Sequence, residues 1–233
     1  MTQRADDAPR IALIEGCRKL VRDGLVVGTA GNVSLRRDVR RFFISPTGAR
    51  YDALQAADVA LVDIDGGWSG RRRPSSEWRI HRDLYRARAE IGAIVHTHSR
   101  EATALACTGR GIPAFHYMVA VAGGADVRCA PYRLFGTQAL SDAAIEALVD
   151  RRACLLANHG VLCVGADLDA ALGLAAEIED LAAKYRIALA LGGVRMLDPA
   201  EMREVLERFR SYGRQDADDP GLVQVAEPPV PPR

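Results

Sequence analysis

Several features that would place this chain of 233 residues in other protein classes are missing from it. It has no excess of positive charge, because 31 lysine and arginine residues face 30 aspartate and glutamate residues, and we therefore expect no nucleic-acid partner. The five cysteines are scattered and odd in number, without a C-x-x-C pair, which argues against a disulfide framework. No apolar run approaches the roughly 18 residues of a membrane span, and the N-terminus does not resemble a signal peptide. We therefore expect a cytoplasmic protein without membrane contact.

Hydrophobic residues make up 48% of the chain, which is typical of a globular protein with a sizeable core. Short apolar stretches of strand character alternate with segments of helical spacing, and no repeat or interdomain linker separates them. The pattern predicts a single α/β domain over residues 1–213, with a largely antiparallel central sheet covered by helices. The segment 214–233 is rich in Asp and Pro and has little apolar surface to bury, which predicts a disordered tail.

Residues 93–99 form an apolar run of strand-forming residues that carries His96 and His98 two positions apart. Residues i and i+2 of a strand point to the same side, so both imidazoles should face one point in space. His159 ends another apolar strand and precedes Gly160, which allows a close backbone approach. Imidazole and carboxylate ligands suit Zn²⁺, with Mn²⁺ or Co²⁺ as alternatives. The pattern predicts a metal site that draws on more than one segment of the chain.

The segment that begins at Pro74 predicts a helix to about Arg88, with a serine in the capping position and Glu77 in the first turn. Beside a metal, Glu77 is a candidate ligand of the empty site and a candidate base when substrate arrives. His81 lies one helical turn later, and we interpret it as a packed or hydrogen-bonded helix residue. We prefer an equally ordinary interpretation for His116.

Three turn segments combine small residues with exposed backbone N–H groups and short hydroxyl or amide side chains. They are Gly31 with Asn32, Thr47 with Gly48, and Ser75 with Ser76. Groups of this kind bind phosphate, and the start of the helix after Ser76 adds a favourable dipole. Each turn alone is better explained as an ordinary turn or helix cap. Together with a metal site, the three turns indicate a phosphorylated substrate.

Taken in order, these motifs resemble the class II aldolase/adducin family, and the resemblance covers about residues 10–213. The motifs that carry it are Gly28-Thr29-Ala30-Gly31-Asn32-Val33-Ser34, Ser45-Pro46-Thr47-Gly48, Pro74-Ser75-Ser76-Glu77-Trp78, His96-Thr97-His98 and His159-Gly160. The resemblance implies a zinc-dependent homotetramer with active sites at the subunit interfaces. It also implies that the zinc ligands are His96, His98 and His159, with Glu77 completing the empty site and acting catalytically.

The resemblance also implies roles for residues around the metal. The residues implied to bind the phosphorylated substrate are Gly31, Asn32, Thr47, Gly48, Ser75 and Ser76. Tyr117 of a neighbouring subunit is implied as the proton donor to the aldehyde, and Phe135, Phe209 and Tyr212 as the lining of the aldehyde pocket. One departure stands beside a ligand: Asn158 occupies a position where an aldolase of this family carries another histidine.

The reaction implied is the reversible cleavage of a ketose 1-phosphate, of the L-fuculose 1-phosphate type, to dihydroxyacetone phosphate and a short aldehyde such as L-lactaldehyde. An aldolase for 5-deoxyribulose or 5-methylthioribulose 1-phosphate is an open alternative, because the same phosphate and metal contacts would serve it. Related epimerases usually carry Asp where Glu77 stands, and a dehydratase or a decarboxylase fits less well. A structural, adducin-like protein would be expected to lose the metal ligands, which are all present here.

Overall fold

The computed structural model describes residues 2–211, so the predicted tail at 214–233 and Tyr212 lie outside the described residues. Within this range the helices are α1 (Thr2–Arg22), α2 (Trp78–Ala87), α3 (Arg100–Ala106), α4 (Gln138–Ala147), α5 (Leu168–Ala190) and α6 (Pro199–Phe209). The strands are β1 (Asn32–Arg36), β2 (Arg41–Ile44), β3 (Ala60–Asp63), β4 (Trp68–Ser69), β5 (Ala93–Thr97), β6 (Arg128–Ala130), β7 (Ala153–Leu156) and β8 (Gly160–Gly165). Short 3₁₀ helices occur at Tyr51–Ala53, Ala56–Asp58 and Tyr117–Ala122.

All eight strands of the described residues join one sheet in the order β4-β3-β2-β1-β5-β8-β7-β6. Every neighbouring pair is antiparallel except β6 and β7, which run parallel. The prediction of a largely antiparallel central sheet is therefore confirmed. β5 lies in the interior of the sheet, between β1 and β8, and this is the strand that carries His96.

Helices cover both faces of the sheet and bury two separate hydrophobic clusters. One cluster joins α1, α3 and α5 to strand residues such as Val33 and Val95. The other joins α2 and α4 to residues such as Ile94 and Leu162. Alternate residues of β5 thus enter opposite clusters, as the two-residue period of a strand requires. The result is a three-layer α/β arrangement, in agreement with the predicted central sheet covered by helices.

The beginning of α2 differs in detail from the prediction. The helix starts at Trp78, and its N-cap is Glu77, which makes no side-chain capping hydrogen bond. Ser75 does not cap the helix; its hydroxyl accepts a hydrogen bond from the backbone N–H of Glu77 at 3.2 Å. The predicted serine cap is therefore wrong, because the chain makes one further turn before α2. That turn directs the Glu77 carboxylate towards the histidines instead of towards the helix N-terminus.

The arginine-rich loop before this turn is anchored by a buried carboxylate. Asp58, whose side chain is 1% exposed, accepts hydrogen bonds from Arg71 Nε at 2.8 Å and from Arg72 Nε at 3.0 Å. Asp58 Oδ2 also accepts a hydrogen bond from the backbone N–H of Gln55, at an N to O distance of 3.0 Å. Burial opposes the ionisation of Asp58, but these donors outweigh it and hold the pKa of Asp58 below its ordinary value. The loop therefore leads into residues 74–77 from a fixed position.

No helix within residues 2–211 is long and apolar enough to cross a membrane.

Candidate metal centre and active site

Four side chains from three parts of the fold converge beside the central strand. His96 lies near the end of β5, where it pairs with Asn32 of β1 on one side and Leu162 of β8 on the other. His98 follows β5 directly, and His159 lies in the turn between β7 and β8. Glu77 approaches from the turn before α2. The structure therefore brings together all four residues that the sequence predicts as metal ligands.

The donor atoms of this cluster all lie within 4.8 Å of one another. His96 Nε2 is 3.0 Å from His98 Nε2 and 3.2 Å from Glu77 Oε2, and His159 Nε2 is 3.2 Å from Glu77 Oε1. The three imidazole rings stand edge to face, with centroids 4.8 to 4.9 Å apart. Three imidazole nitrogens and one carboxylate thus surround one point, which is the donor set of a divalent-metal site.

The surroundings of the histidines leave their Nε2 atoms available as ligands. His96 Nδ1 lies 2.9 Å from the carbonyl oxygen of Val161 and donates its proton there, so Nε2 is the ring atom that faces the cluster. Burial lowers the pKa of His98 to about 4, and the nearby rings of His96 and His159 add to the shift. Burial likewise lowers the pKa of His159 to about 4. Neutral imidazole is the form that binds metal, so these rings are ready for a cation at neutral pH.

Glu77 supplies the negative charge of the site. Burial opposes its ionisation, but His96, His159 and the Asn32 amide outweigh that effect and hold the pKa of Glu77 below its ordinary value. Asn32 Nδ2 donates to Glu77 Oε2 at 2.9 Å. Glu77 Oε1 is buried and makes no hydrogen bond among the described residues, and its polar neighbour at 3.2 Å is His159 Nε2, itself a candidate ligand. A buried carboxylate oxygen is costly without a partner, and a cation at the cluster would satisfy it. The residues present therefore fit a metal ion.

Two glycines allow the segments to approach this closely. A Cβ on Gly160 would lie 2.3 Å from the carbonyl oxygen of Thr97 and 2.9 Å from the His98 ring. Gly31 adopts φ +87°, and a Cβ there would lie 2.6 Å from the carbonyl oxygen of His96. Any larger residue at either position would push the backbone away from the metal ligands. This agrees with the close approach predicted at Gly160.

The cluster opens into a cavity of about 300 Å³. All six residues predicted for the phosphorylated substrate line this cavity, together with three of the metal-cluster residues: Gly31, Asn32, Thr47, Gly48, Ser75, Ser76, Glu77, His98 and His159. Phe135, predicted for the aldehyde side, also lines it and is 62% exposed. The cavity thus joins a region rich in hydroxyl and amide groups to the four-residue cluster.

Sequence reasoning missed one charged residue of this cavity. Arg133 lies in the loop between β6 and α4, and it lines the cavity beside Tyr132. Its guanidinium group is a natural partner for an anion. The sequence offered one sign of this role, which is an arginine shortly before Gly136 in a loop. Many surface loops contain an arginine near a glycine, so the pattern is not specific. Asn158 lines the same cavity and adopts φ +54°, a conformation that Asn tolerates better than most residues.

Two predicted site residues do not reach the cavity of their own chain. Tyr117, which is 47% exposed, and Phe209 have ring centroids 6.4 Å apart and form a separate aromatic pair. Phe209 lines a different cavity with Ile91 and Gly165, near the start of β5, whereas His96 lies near its end. For Tyr117 and Phe209 to act at a metal cluster, they must act at that of another subunit. Tyr212, the third residue predicted from this region, lies outside the described residues.

Comparison with known proteins places this arrangement in a family. The sequence profile described as "Class II Aldolase and Adducin N-terminal domain" matches residues 11–185. The chain belongs to the class II aldolase and adducin family. Its fold is also that of the family: a solved L-fuculose 1-phosphate aldolase superimposes with a TM-score of 0.84 at 40% identity, over 87% of this chain and 96% of that one.

Two curated relatives narrow the assignment to aldolases. A 5-methylthioribulose-1-phosphate/5-deoxyribulose-1-phosphate aldolase of Rhodospirillum rubrum is 47% identical over 206 residues, which is 88% of this chain and 93% of the relative. An L-fuculose phosphate aldolase of Escherichia coli is 43% identical over 202 residues, covering 86% of this chain and 94% of the relative. The protein is therefore a class II aldolase, which is a metal-dependent lyase, and the cluster of Glu77, His96, His98 and His159 has the donor set of a metal site.

Proposed function

We propose that this class II aldolase reversibly cleaves a ketose 1-phosphate into dihydroxyacetone phosphate and a short aldehyde. The observation that carries the proposal is the single cavity in which the four-residue cluster adjoins the predicted phosphate-binding turns. A ketose 1-phosphate presents its phosphate and its carbonyl group close together, so one cavity must bind both. Both curated relatives are named as aldolases of such sugar phosphates.

The phosphate end is bound by neutral donors and one cation. Asn32, Thr47, Ser75 and Ser76 offer amide and hydroxyl groups, and Gly48 adds a turn whose backbone lies against the cavity. Short donors on fixed backbone bind phosphate with a defined orientation. Arg133 adds a positive charge to the lining of the same cavity. This arrangement holds the substrate so that its carbon chain extends towards Glu77.

The proton transfers are assigned to Glu77 and Tyr117. In the direction of synthesis, Glu77 removes a proton from C3 of dihydroxyacetone phosphate, and the electron pair left at C3 attacks the carbonyl carbon of the aldehyde. The phenol of Tyr117 donates a proton to the aldehyde oxygen, which becomes the new hydroxyl group. The metal, held by His96, His98 and His159, supplies Lewis-acid polarisation of the carbonyl group when bound. Cleavage uses the same residues in reverse.

The position of Tyr117 supports a site shared between subunits. Because Tyr117 and Phe209 lie away from the cavity of their own chain, we place them at the cavity of a neighbouring subunit in a homotetramer. Zn²⁺ is the proposed metal, on the basis of the three imidazoles and one carboxylate.

A mixing experiment tests the shared site. Chains carrying Glu77→Gln or Tyr117→Phe should each be nearly inactive alone, because each lacks one proton-transfer group. If equal amounts are unfolded and refolded together, about a quarter of the sites should combine an intact Glu77 with an intact Tyr117 of the neighbour. Cleavage activity should therefore return to roughly that fraction of the wild-type value. The same two variants mixed without unfolding provide the control, and refolded mixtures that stay inactive would show that each chain forms its site alone.

The aldehyde is either the L-lactaldehyde of L-fuculose 1-phosphate or the less polar aldehyde of a 5-deoxy- or 5-methylthioribulose 1-phosphate. The relatives support both substrates. One observation favours the second group: Tyr132 and Phe135, on either side of Arg133 and the exposed Leu134 in sequence, add two aromatic rings to the cavity lining. Contact with aromatic surface favours a methyl or methylthio group over a hydroxyl group.

Substrate choice is measured by incubating the Zn²⁺-loaded protein with each of the three ketose 1-phosphates. Release of dihydroxyacetone phosphate is followed through a coupled NADH assay, and a chelated sample measures the background. We expect release from at least one substrate, with the highest kcat/KM for a ribulose derivative. A higher kcat/KM for L-fuculose 1-phosphate would reverse the substrate preference. The absence of release from all three, with zinc bound at stoichiometry, would reject the proposed function.

A further inference from the structure

We propose that His81 is a positioning residue that fixes the amide orientation of Asn32 and, through Asn32, the carboxylate of Glu77 and the donors that face the phosphate. The geometric part concerns only the arrangement of these side chains, and its kinetic consequences rest on the proposed function. His81 belongs neither to the four-residue cluster nor to the lining of the cavity, yet it contacts Asn32, which lines the cavity and donates to Glu77. Its second contact is with Ser34, two positions along the same strand.

An unbroken chain of hydrogen bonds runs through His81. Tyr85 OH lies 2.8 Å from Ser34 Oγ, and Ser34 Oγ lies 2.6 Å from His81 Nδ1. His81 Nε2 lies 2.5 Å from Asn32 Oδ1, and Asn32 Nδ2 lies 2.9 Å from Glu77 Oε2. All five side chains are buried, and His81 is 0% exposed. The contacts of His81 are therefore shielded from competing water.

The secondary structure places these side chains opposite one another. Asn32 and Ser34 are two positions apart in β1 and so point to the same side of the sheet. His81 and Tyr85 are one helical turn apart in α2, which puts them on one face of the helix. Tyr85 is held in turn by Phe42, at a ring-centroid distance of 5.1 Å, within the cluster between sheet and helix. This series of hydrogen bonds thus starts at Tyr85 in the hydrophobic core and ends at Glu77, a member of the four-residue cluster.

The carboxylate at one end sets the direction of every hydrogen bond. An ionised Glu77 can only accept, so the amide nitrogen of Asn32 must face it and Asn32 Oδ1 must face His81. Asn32 Oδ1 can only accept, so His81 carries its proton on Nε2 and presents a lone pair at Nδ1. Ser34 then donates to His81 Nδ1, and Tyr85 donates to Ser34. One tautomer of His81 and one orientation of Asn32 satisfy all five groups.

The contact with His81 determines which atoms of the Asn32 amide face Glu77 and the cavity. With Oδ1 bound to His81, the amide of Asn32 offers only N–H groups to Glu77 and to the cavity. A flipped amide would place Oδ1 against the Glu77 carboxylate and against the phosphate, where two negative partners would repel it. Without His81, Asn32 Oδ1 loses its donor, and the single contact with Glu77 is left to hold the amide in the productive orientation. Burial also lowers the pKa of His81 to about 3, so the ring stays neutral and keeps a single tautomer.

Two substitutions that introduce the same amide group at different reach separate this role from simple packing. In His81→Gln the side-chain amide reaches roughly the position of Nε2 and can still donate to Asn32. In His81→Asn the shorter amide reaches only the position of Nδ1, so it keeps Ser34 and loses Asn32. Each variant retains one of the two hydrogen bonds, and their melting temperatures should agree closely. A purely structural role predicts similar behaviour of the two variants in every assay.

The readouts are the Kd of dihydroxyacetone phosphate by calorimetry, the Zn²⁺ affinity by chelator competition, and kcat and KM separately. We expect His81→Gln to stay near the wild type, and His81→Asn to bind dihydroxyacetone phosphate and Zn²⁺ about tenfold more weakly, with a higher KM and a lower kcat. Equal effects of the two variants at equal stability, or a stronger defect in His81→Gln, would overturn the proposal. If the wild type neither binds nor releases dihydroxyacetone phosphate, the proposed function fails, and the Zn²⁺ affinities of the two variants still decide the role of His81.

Discussion

Replacing Glu77 with glutamine is expected to lower kcat for ketose 1-phosphate cleavage by about two to four orders of magnitude, the usual contribution of a general acid–base group. Glutamine keeps the size of the side chain and can still pack between Asn32 and the histidines. It cannot accept the C3 proton of dihydroxyacetone phosphate, and it removes the only carboxylate of the metal cluster. The loss should appear mainly in kcat, because the phosphate-binding turns remain intact.

Proton exchange isolates the step assigned to Glu77. In D₂O the wild-type protein should exchange one C3 proton of dihydroxyacetone phosphate for deuterium, as followed by NMR, even without an aldehyde. Glu77→Gln should abolish this exchange. Glu15→Gln is the matched control, since Glu15 is an exposed carboxylate of α1 that pairs with Arg18 and lines neither of the two cavities described above. Exchange at the wild-type rate in Glu77→Gln would assign proton removal to another group.

Removal of the metal is expected to have an equally large effect and to lower stability. A chelator should abolish cleavage, and added Zn²⁺ should restore it, because the substrate carbonyl is no longer polarised without the cation. The native cluster binds metal and the unfolded chain has no such site. At a thousandfold excess over Kd, Zn²⁺ should therefore stabilise the protein by about 4 kcal/mol and raise Tm by roughly 8 °C or more.

Single substitutions test which residues are responsible for the stabilisation by Zn²⁺. His96→Ala and His98→Ala should each remove most of the Zn²⁺-dependent rise in Tm, because each removes a ligand from a site that offers four. His116→Asn is the matched control, because His116 lies outside the cluster. The asparagine side chain can still accept the hydrogen bond that the Met118 backbone N–H donates to His116 Nδ1. A rise in Tm that persists in both alanine variants would move the metal site away from His96 and His98.

The amino-acid sequence by itself predicted the fold class, and it singled out the four residues that the structure brings together around Glu77. The spacing of His96 and His98 is a local signal, because a strand places alternate residues on one side whatever the rest of the chain does. The small residues around Asn32, Thr47 and Ser75 are local signals too, since turns that expose backbone N–H groups need such residues. Sequence also indicated that His81 is a packed or hydrogen-bonded helix residue, and its burial between Ser34 and Asn32 agrees with that interpretation.

Only the tertiary structure decided how these local pieces meet. The antiparallel register of β1 with β5 sets Asn32 beside His96, and the packing of α2 on the same face brings His81 to Asn32. The extra turn before α2 aims Glu77 at the histidines, and the β6–α4 loop adds Arg133 to the cavity. The separation of Tyr117 and Phe209 from that cavity also follows from packing alone. These contacts join residues far apart along the chain, and their geometry depends on strand register and helix packing, which no local pattern of residues encodes.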